Sequence, residues 1–168
     1  MIALIIGKPD SGKSKRAEAL TAELAQEGQK IYLATMIPYG KEGEERVKKH
    51  RLMRADSVFF TIECPYDLKM RLKDDAIFQG ATCLLECISN LVANEMHADG
   101  RKACTDEGIV DLVFDEIAWL AQKCRHLVLV GNEFDKDSSF DEETKRYIRL
   151  NHLVNEKIRV LSDHVETI

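Results

Sequence analysis

The chain has 168 residues, of which 45% are hydrophobic and 32% charged, and its formal net charge is −5. This length and composition predict a single globular domain over residues 1–168, with a core of substantial size. The negative charge argues against nucleic acid or an anionic membrane as the main partner. No apolar run approaches the length of a membrane span, so we also expect no spanning segment.

The cysteines form an odd set without a CxxC pair: Cys64, Cys83, Cys87, Cys104 and Cys124. This pattern is typical of reduced thiols in the cytosol, so we expect a cytoplasmic protein without a cysteine metal site. The first apolar run leads directly into a glycine-containing loop, which predicts a strand rather than a signal peptide.

Short apolar runs alternate with amphipathic stretches. The apolar runs predict strands at 1–6, 30–34, 58–62, 82–87 and 127–130, with a last short strand near 164–168. The amphipathic stretches predict helices at 14–26, 44–54, 68–78, 88–96, 107–123 and 141–161, with Gly28 and Gly80 after two of the helix ends. This alternation predicts an α/β fold, in which a mostly parallel sheet carries helices on both faces and binds ligands at the carboxyl ends of its strands.

A complete phosphate-binding loop follows the first strand. The motif G-x-x-x-x-G-K-S comprises Gly7, Lys8, Pro9, Asp10, Ser11, Gly12, Lys13 and Ser14. Backbone amides of such a loop point at a triphosphate, and the following helix adds positive potential at its N-terminus. Lys13 is expected to reach the β- and γ-phosphates and the Ser14 hydroxyl to bind Mg²⁺. The chain is therefore expected to bind a nucleoside triphosphate.

A basic segment follows the second strand. Arg46, His50 and Arg54 recur every four residues, so a helix places them on one face. Neighbouring cations favour a neutral, nucleophilic His50 and also attract a phosphate, as a covalent phosphoryl or nucleotidyl intermediate requires. A solvated basic helix with an incidental histidine explains the same spacing, and the spacing alone favours that simpler interpretation.

Carboxylates and amides follow three later strands. Glu86 ends an apolar run, where an acid supports Mg²⁺ in phosphate-loop proteins or else faces solvent. Glu63 precedes Pro65, where a carboxylate accepts hydrogen bonds from a guanine edge or begins a turn. Asn132 and Glu133 are candidate substrate contacts, with turn formation as the alternative. Asn90 and Asn94 share a helix face, and spacing does not distinguish site contacts from interhelical hydrogen bonds.

Together these motifs resemble the bifunctional adenosylcobinamide kinase / adenosylcobinamide-phosphate guanylyltransferase family of cobalamin biosynthesis. The resemblance covers nearly the whole chain. Its most specific part pairs Arg46-Val47 and His50-Arg51 with the later Thr61-Ile62-Glu63-Cys64-Pro65 segment. The phosphate loop precedes these segments and Leu84–Ile88 and Asn132-Glu133 follow them, in the same order as in the family.

The resemblance implies a RecA-like, three-layer phosphate-loop fold and two reactions. A nucleoside triphosphate phosphorylates the aminopropanol hydroxyl of adenosylcobinamide, and GMP from GTP then passes through a histidine to give adenosylcobinamide-GDP. His50 matches the histidine that carries GMP, Lys13 and Ser14 serve the triphosphate and Mg²⁺, Glu86 serves the metal, and Glu63 matches the acid associated with guanine. Arg46 and Arg54 belong to the same nucleotide site. Family members tend to form trimers, so a homo-oligomer is expected.

Two departures from the family pattern stand out. Family loops usually carry small residues and an arginine before Ser-Gly-Lys-Ser, where this chain has Lys8, Pro9 and Asp10, and the glycine-rich run after Asn-Glu is replaced by 134–137. Pro9 lacks a backbone donor, and Asp10 places negative charge near the phosphates. Two alternatives therefore remain: a divergent small-molecule kinase without the guanylyl step, and a non-catalytic nucleotide-binding homologue.

Overall fold

The computed structural model describes residues 1–38, 41, 44, 45, 48, 59–101, 103–135 and 137–168. Within these ranges six strands form one sheet: β1 (Ile2–Gly7), β2 (Lys30–Ala34), β3 (Phe59–Glu63), β4 (Thr82–Glu86), β5 (His126–Asn132) and β6 (His164–Thr167). The strand order is β3-β2-β4-β5-β1-β6, and each neighbouring pair is parallel. The predicted parallel α/β sheet is confirmed, including its short last strand.

Five α-helices lie wholly within the described ranges: α1 (Lys13–Ala25), α2 (Leu68–Leu72), α3 (Ile88–His97), α4 (Asp106–Lys123) and α5 (Glu142–Leu161). A 3₁₀ turn at Ala76–Phe78 follows α2, so the continuous helix predicted at 68–78 is wrong. Glu44, Glu45 and Lys48 are helical, while most of the predicted 44–54 helix lies outside the described residues. No helix in the described ranges is long and apolar enough to cross a membrane.

Helices cover both faces of the sheet, which explains why the middle residues of the central strands are almost all apolar. On one face Leu4 and Ile6 of β1 pack in a cluster with α3, α4 and α5. On the other face Ala3 and Ile5 pack in a cluster with Ala17 and Leu20 of α1. All four β1 residues are at most 1% exposed, so the alternating side chains of one strand contribute to two cores.

Helix ends follow local hydrogen-bonding chemistry. The Thr105 hydroxyl accepts from the Gly108 amide at the start of α4, and the Asp141 carboxylate accepts from the Thr144 amide at 2.7 Å at the start of α5. Gly80 has φ +79°, as a glycine in a turn permits. The helix α1 ends at Ala25 and is followed by Gln26, which has a positive φ of 52°. The helix therefore stops before Gly28, where its end was expected.

The terminal strand β6 closes one edge of the sheet beside the phosphate loop. The Ile168 amide donates to the Ile6 carbonyl at 2.9 Å, and the Ile168 carbonyl occupies the space that a Cβ at Gly7 would need. Arg16 of α1 pairs with Glu166 at 2.9 Å. Gly7 is therefore required for close packing as well as for the loop motif.

Candidate functional site

The phosphate loop joins the buried end of β1 to the first turn of α1. Gly12 caps the helix with φ 93°, a left-handed conformation that favours glycine, although the space beside it is open. Asp10 is also left-handed, with φ 59°. Non-glycine residues in this region are strained, and asparagine and aspartate tolerate it better than most others. The unusual Asp10 is therefore compatible with the turn that the loop makes.

Lys13 lies inside the loop, with only 5% of its surface exposed. Its ammonium donates to the Lys8 carbonyl and lies 3.4 Å from the Ser11 hydroxyl oxygen. Burial lowers the pKa of Lys13, while the nearby Asp10 and Glu86 charges act in the opposite direction. The loop thus holds a desolvated cation in the cradle of its own backbone, as electrostatic stabilisation of a phosphoryl group requires.

Glu86 lies at the carboxyl end of β4 and contacts the first turn of α1. The Ser14 hydroxyl donates to Glu86 Oε1, and the Tyr32 hydroxyl donates to Oε2 at 2.8 Å. A serine hydroxyl beside a carboxylate is a hard-oxygen donor set of the type that Mg²⁺ prefers. The residues present therefore fit the magnesium role predicted for Ser14 and Glu86. Tyr32 was not among the predicted site residues, although its position near the carboxyl end of β2, where parallel sheets bind ligands, indicated such a role.

A polar clamp ties the carboxyl ends of three strands together. Thr35 exchanges hydrogen bonds with the backbone of Cys87 at 2.8 and 2.9 Å. The Asn94 amide of α3 donates to the carbonyls of Thr35 and Pro65 at 2.7 and 2.8 Å. The spacing of Asn94 did not show whether it contacts the site or forms an interhelical hydrogen bond. In the structure its side chain joins the segments that follow β2 and β3.

Asn132 is the last residue of β5 and Glu133 follows it, and both adjoin the phosphate loop. The Glu133 amide donates to the Gly7 carbonyl at 2.8 Å, and its carboxylate pairs with Arg159 at 2.9 Å. The Asn132 side chain donates to the Ser89 hydroxyl at 2.5 Å. Both residues line a cavity of about 270 Å³ beside Lys8, so their side chains adjoin the nucleotide loop.

The second carboxylate, Glu63, lies two strands away from Glu86 and four strands away from β1, which leads into the phosphate loop. It ends β3, and Ala34 of β2 is in register with both Glu63 and Glu86. Neighbouring strands are about 4.8 Å apart, so the backbones of the two acids are separated by roughly 10 Å across one edge of the sheet. Arg46, His50 and Arg54 lie outside the described residues, so their predicted roles stay predictions.

A second group of acids, two of them buried and one half-buried, surrounds the start of α2. One oxygen each of Asp67, Glu95 and Glu116 lies within 4.8 Å of the others. Arg101 donates to Glu95 at 3.1 Å and to Asp67 at 2.5 Å, and Glu95 also accepts from the Asp67 amide at 2.6 Å. These bonds make the group an internal ion network that holds the turn after Pro65.

Within this group, Glu116 has an environment that is unfavourable for a negative charge. It is 3% exposed, and its Oε2 has no hydrogen-bond partner within the described structure. Burial, with the nearby charges of Glu95 and Asp67, raises the pKa of Glu116 to about 8. A neutral carboxylic acid is therefore favoured here at neutral pH.

Comparisons with known proteins show the family of this chain. The model of the cobinamide kinase / cobinamide phosphate guanyltransferase family matches residues 3–168. The chain belongs to this family. It is 29% identical to the bifunctional adenosylcobalamin biosynthesis protein CobU of Salmonella typhimurium and 28% identical to that of Escherichia coli, covering 98% of this chain and 93% of each relative.

Among solved structures, the ATPase domain of G40P superposes with a TM-score of 0.55 at 10% identity. The match covers 99% of this chain and 68% of that one. At such low identity the likeness concerns the fold alone. It supports the predicted phosphate-loop architecture, and the family match agrees with the resemblance drawn from the motifs.

Proposed function

We propose that this chain is a bifunctional transferase of cobalamin biosynthesis, which phosphorylates adenosylcobinamide and then transfers GMP to the product. One observation carries the proposal: a chain of this family places buried Lys13 and the Ser14–Glu86 pair together at one phosphate loop. The triphosphate and the corrinoid are its substrates.

In the kinase step, the acceptor hydroxyl oxygen forms a bond to the γ-phosphorus. The bond from that phosphorus to the β,γ-bridging oxygen breaks, a nucleoside diphosphate leaves, and the hydroxyl proton passes to solvent or a nearby carboxylate. Lys13 and the amides at the start of α1 stabilise the charge that develops on the phosphoryl oxygens. Ser14 and Glu86 would hold Mg²⁺, which supplies further charge neutralisation when bound.

In the guanylyl step, a nitrogen of His50 attacks the α-phosphorus of GTP, and pyrophosphate leaves. A phosphate oxygen of adenosylcobinamide phosphate then attacks the same phosphorus, which releases His50 and forms adenosylcobinamide-GDP. The periodic placement of Arg46, His50 and Arg54 and the family resemblance support this assignment. Glu63, at the end of β3, is the candidate acceptor for the guanine edge.

The test incubates the protein with GTP labelled on its α-phosphate and measures label retained after denaturing electrophoresis. We expect acid-labile label on the wild-type protein, none on His50→Ala, and full label on the matched control His97→Ala, whose histidine is exposed. Label that persists on His50→Ala contradicts the assignment of this histidine. Corrinoid phosphorylation without any label on the wild type would favour a kinase that lacks the guanylyl step.

A further inference from the structure

An apolar groove lies between the N-terminal half of α5 and the loop that follows β5. Two cavities of about 380 and 450 Å³ adjoin each other here, because Phe140 and Ile148 line both. The α5 groove is defined by its apolar lining, Pro9, Phe134, Phe140, Tyr147 and Ile148. The rings of Phe134 and Tyr147 contact each other with centroids 5.4 Å apart, and Tyr147 donates to the Ser89 carbonyl at 3.3 Å.

The groove reaches the phosphate loop at one end. Lys8 and Pro9 line the nearer cavity, and Lys8 pairs with Asp135 at 2.8 Å across its mouth. The 270 Å³ cavity beside Asn132 shares Ile148 with the groove. A molecule lying in the groove therefore has one end beside the residues that bind the triphosphate.

The lining favours a large ligand with an apolar body and a polar rim. Ligand sites are commonly cavities of about 300–1,000 Å³ with mostly apolar walls and a few polar groups, and the groove falls in this range. Charged side chains lie around both cavities: Lys8, Glu133 and Asp135 at the nearer one, and Lys145, Arg149 and Asp137 at the farther one. Both signs of charge are present, which suits amide groups that donate and accept hydrogen bonds better than it suits a polyphosphate.

Resting on the proposed function, we propose that the α5 groove holds the corrin macrocycle of the acceptor and directs its hydroxyl arm to the phosphate loop. A corrin ring has broad apolar faces and amide side chains around its edge. The aromatic rings of Phe134 and Phe140 cover such a face, and the rim charges meet the amides. The nucleotide binds to the loop itself, so the two substrates occupy adjoining sites.

The experiment measures cobinamide binding by equilibrium dialysis, read from the visible absorbance of the corrinoid, and ATP binding in parallel. Phe140→Ala removes a partly exposed ring from a loop, and Ile148→Trp fills the groove. We expect both variants to raise the Kd for cobinamide about tenfold or more, with the Kd for ATP within about twofold of the wild type. The control is Leu153→Ala, on the same helix and 44% exposed, which lines none of the three cavities described.

The outcomes separate this inference from the proposed function. Wild-type protein that does not bind cobinamide contradicts both. If the wild type binds cobinamide and both groove variants bind it equally well, the groove assignment alone is wrong. Thermal melting and the ATP measurement identify a variant that has lost its fold, and Phe140→Ala then decides, because this ring lies outside the helices.

Discussion

Two polar clusters lie near the carboxyl ends of the strands. Each combines a cationic side chain with carboxylates, but the two clusters differ in what they are suited to do. The phosphate-loop cluster, Lys13, Ser14, Tyr32 and Glu86, lies between a loop and two strand ends. The acid cluster, Asp67, Glu95, Arg101 and Glu116, lies between three helices and the turn that follows Pro65. Each contains a buried charge that burial alone disfavours.

The difference lies in what compensates the buried charge. Lys13 contacts mainly neutral oxygens of its own loop, so its positive charge remains available to a triphosphate. In the acid cluster Arg101 already binds two carboxylates, and proton uptake by Glu116 relieves the remaining repulsion. The first cluster is therefore suited to a ligand and the second to stability. Changes in the first should lower the reaction rate, and changes in the second should lower the free energy of unfolding.

Lys13→Ala should give the largest effect. Removing the buried ammonium takes away the main protein charge facing the phosphoryl group, so we expect the rate of corrinoid phosphorylation to fall roughly a thousandfold. Urea unfolding should show stability that is unchanged or higher, because a desolvated charge is lost. The control is Lys15→Ala, an exposed lysine on the same helix. A rate within tenfold of the wild type would contradict the role of Lys13.

Glu95→Ala tests the acid cluster. This fully buried carboxylate binds both Arg101 and the Asp67 amide, so its removal leaves the Asp67 amide without its acceptor and Arg101 with Asp67 as its remaining carboxylate partner in the cluster. We expect the free energy of unfolding to fall by about 3 kcal/mol, with little change in turnover per folded molecule. Urea unfolding and kinase assays measure the two quantities, with exposed Asp115→Ala as the control. A large loss of turnover in fully folded protein would show that the cluster serves the reaction.

Glu86→Gln separates charge from hydrogen bonding in the phosphate-loop cluster. The amide oxygen still accepts from one of the two hydroxyls, so the fold should survive, but the negative charge that would face Mg²⁺ is lost. We expect the phosphorylation rate to fall about a hundredfold and the Mg²⁺ concentration for half-maximal rate to rise. A magnesium titration measures both effects, with exposed Glu27→Gln as the control. An unchanged magnesium dependence would remove Glu86 from the metal site.

Glu116→Gln tests the proton in the acid cluster. The pKa of Glu116 is raised to about 8 from an ordinary 4.5, so the folded protein keeps a proton that the unfolded chain releases between these values. The free energy of unfolding should therefore fall as pH rises from about 5 to 8. Glutamine is neutral throughout, so the variant should lose roughly 3 kcal/mol of this pH dependence.

Urea unfolding at several pH values makes this measurement, and Asp115→Asn on the exposed face of the same helix is the control. An equal pH slope in wild type and Glu116→Gln would show that Glu116 is ionised in the folded protein.

Local patterns predicted much of this molecule. The apolar runs and the G-x-x-x-x-G-K-S spacing led to the parallel sheet, the loop after β1 and the side chains of Lys13, Ser14 and Glu86 at one edge. The family motifs led to the two activities. Helix ends were less predictable: α1 ends at Ala25, before the expected position at Gly28, and α2 ends at Leu72 before a 3₁₀ turn.

The sequence did not predict contacts between residues that are far apart along the chain. Tyr32 and Glu86 are 54 positions apart, and Asn94 reaches Thr35 across 59. The pairing of strands by hydrogen bonds, rather than any local preference, brings such residues together. Glu116 shows the same point, since its helical periodicity places it on the buried face without revealing that Glu95 and Asp67 lie there too.

From the sequence alone follow the nucleotide loop, the parallel fold and the family, because each depends on spacing within a short segment or on an ordered set of such segments. Only the tertiary structure decides which carboxylate faces the loop, which acids share a buried cluster, and where a groove opens beside α5. These depend on strand order and helix packing, which place residues far apart in the chain within a few ångströms of each other.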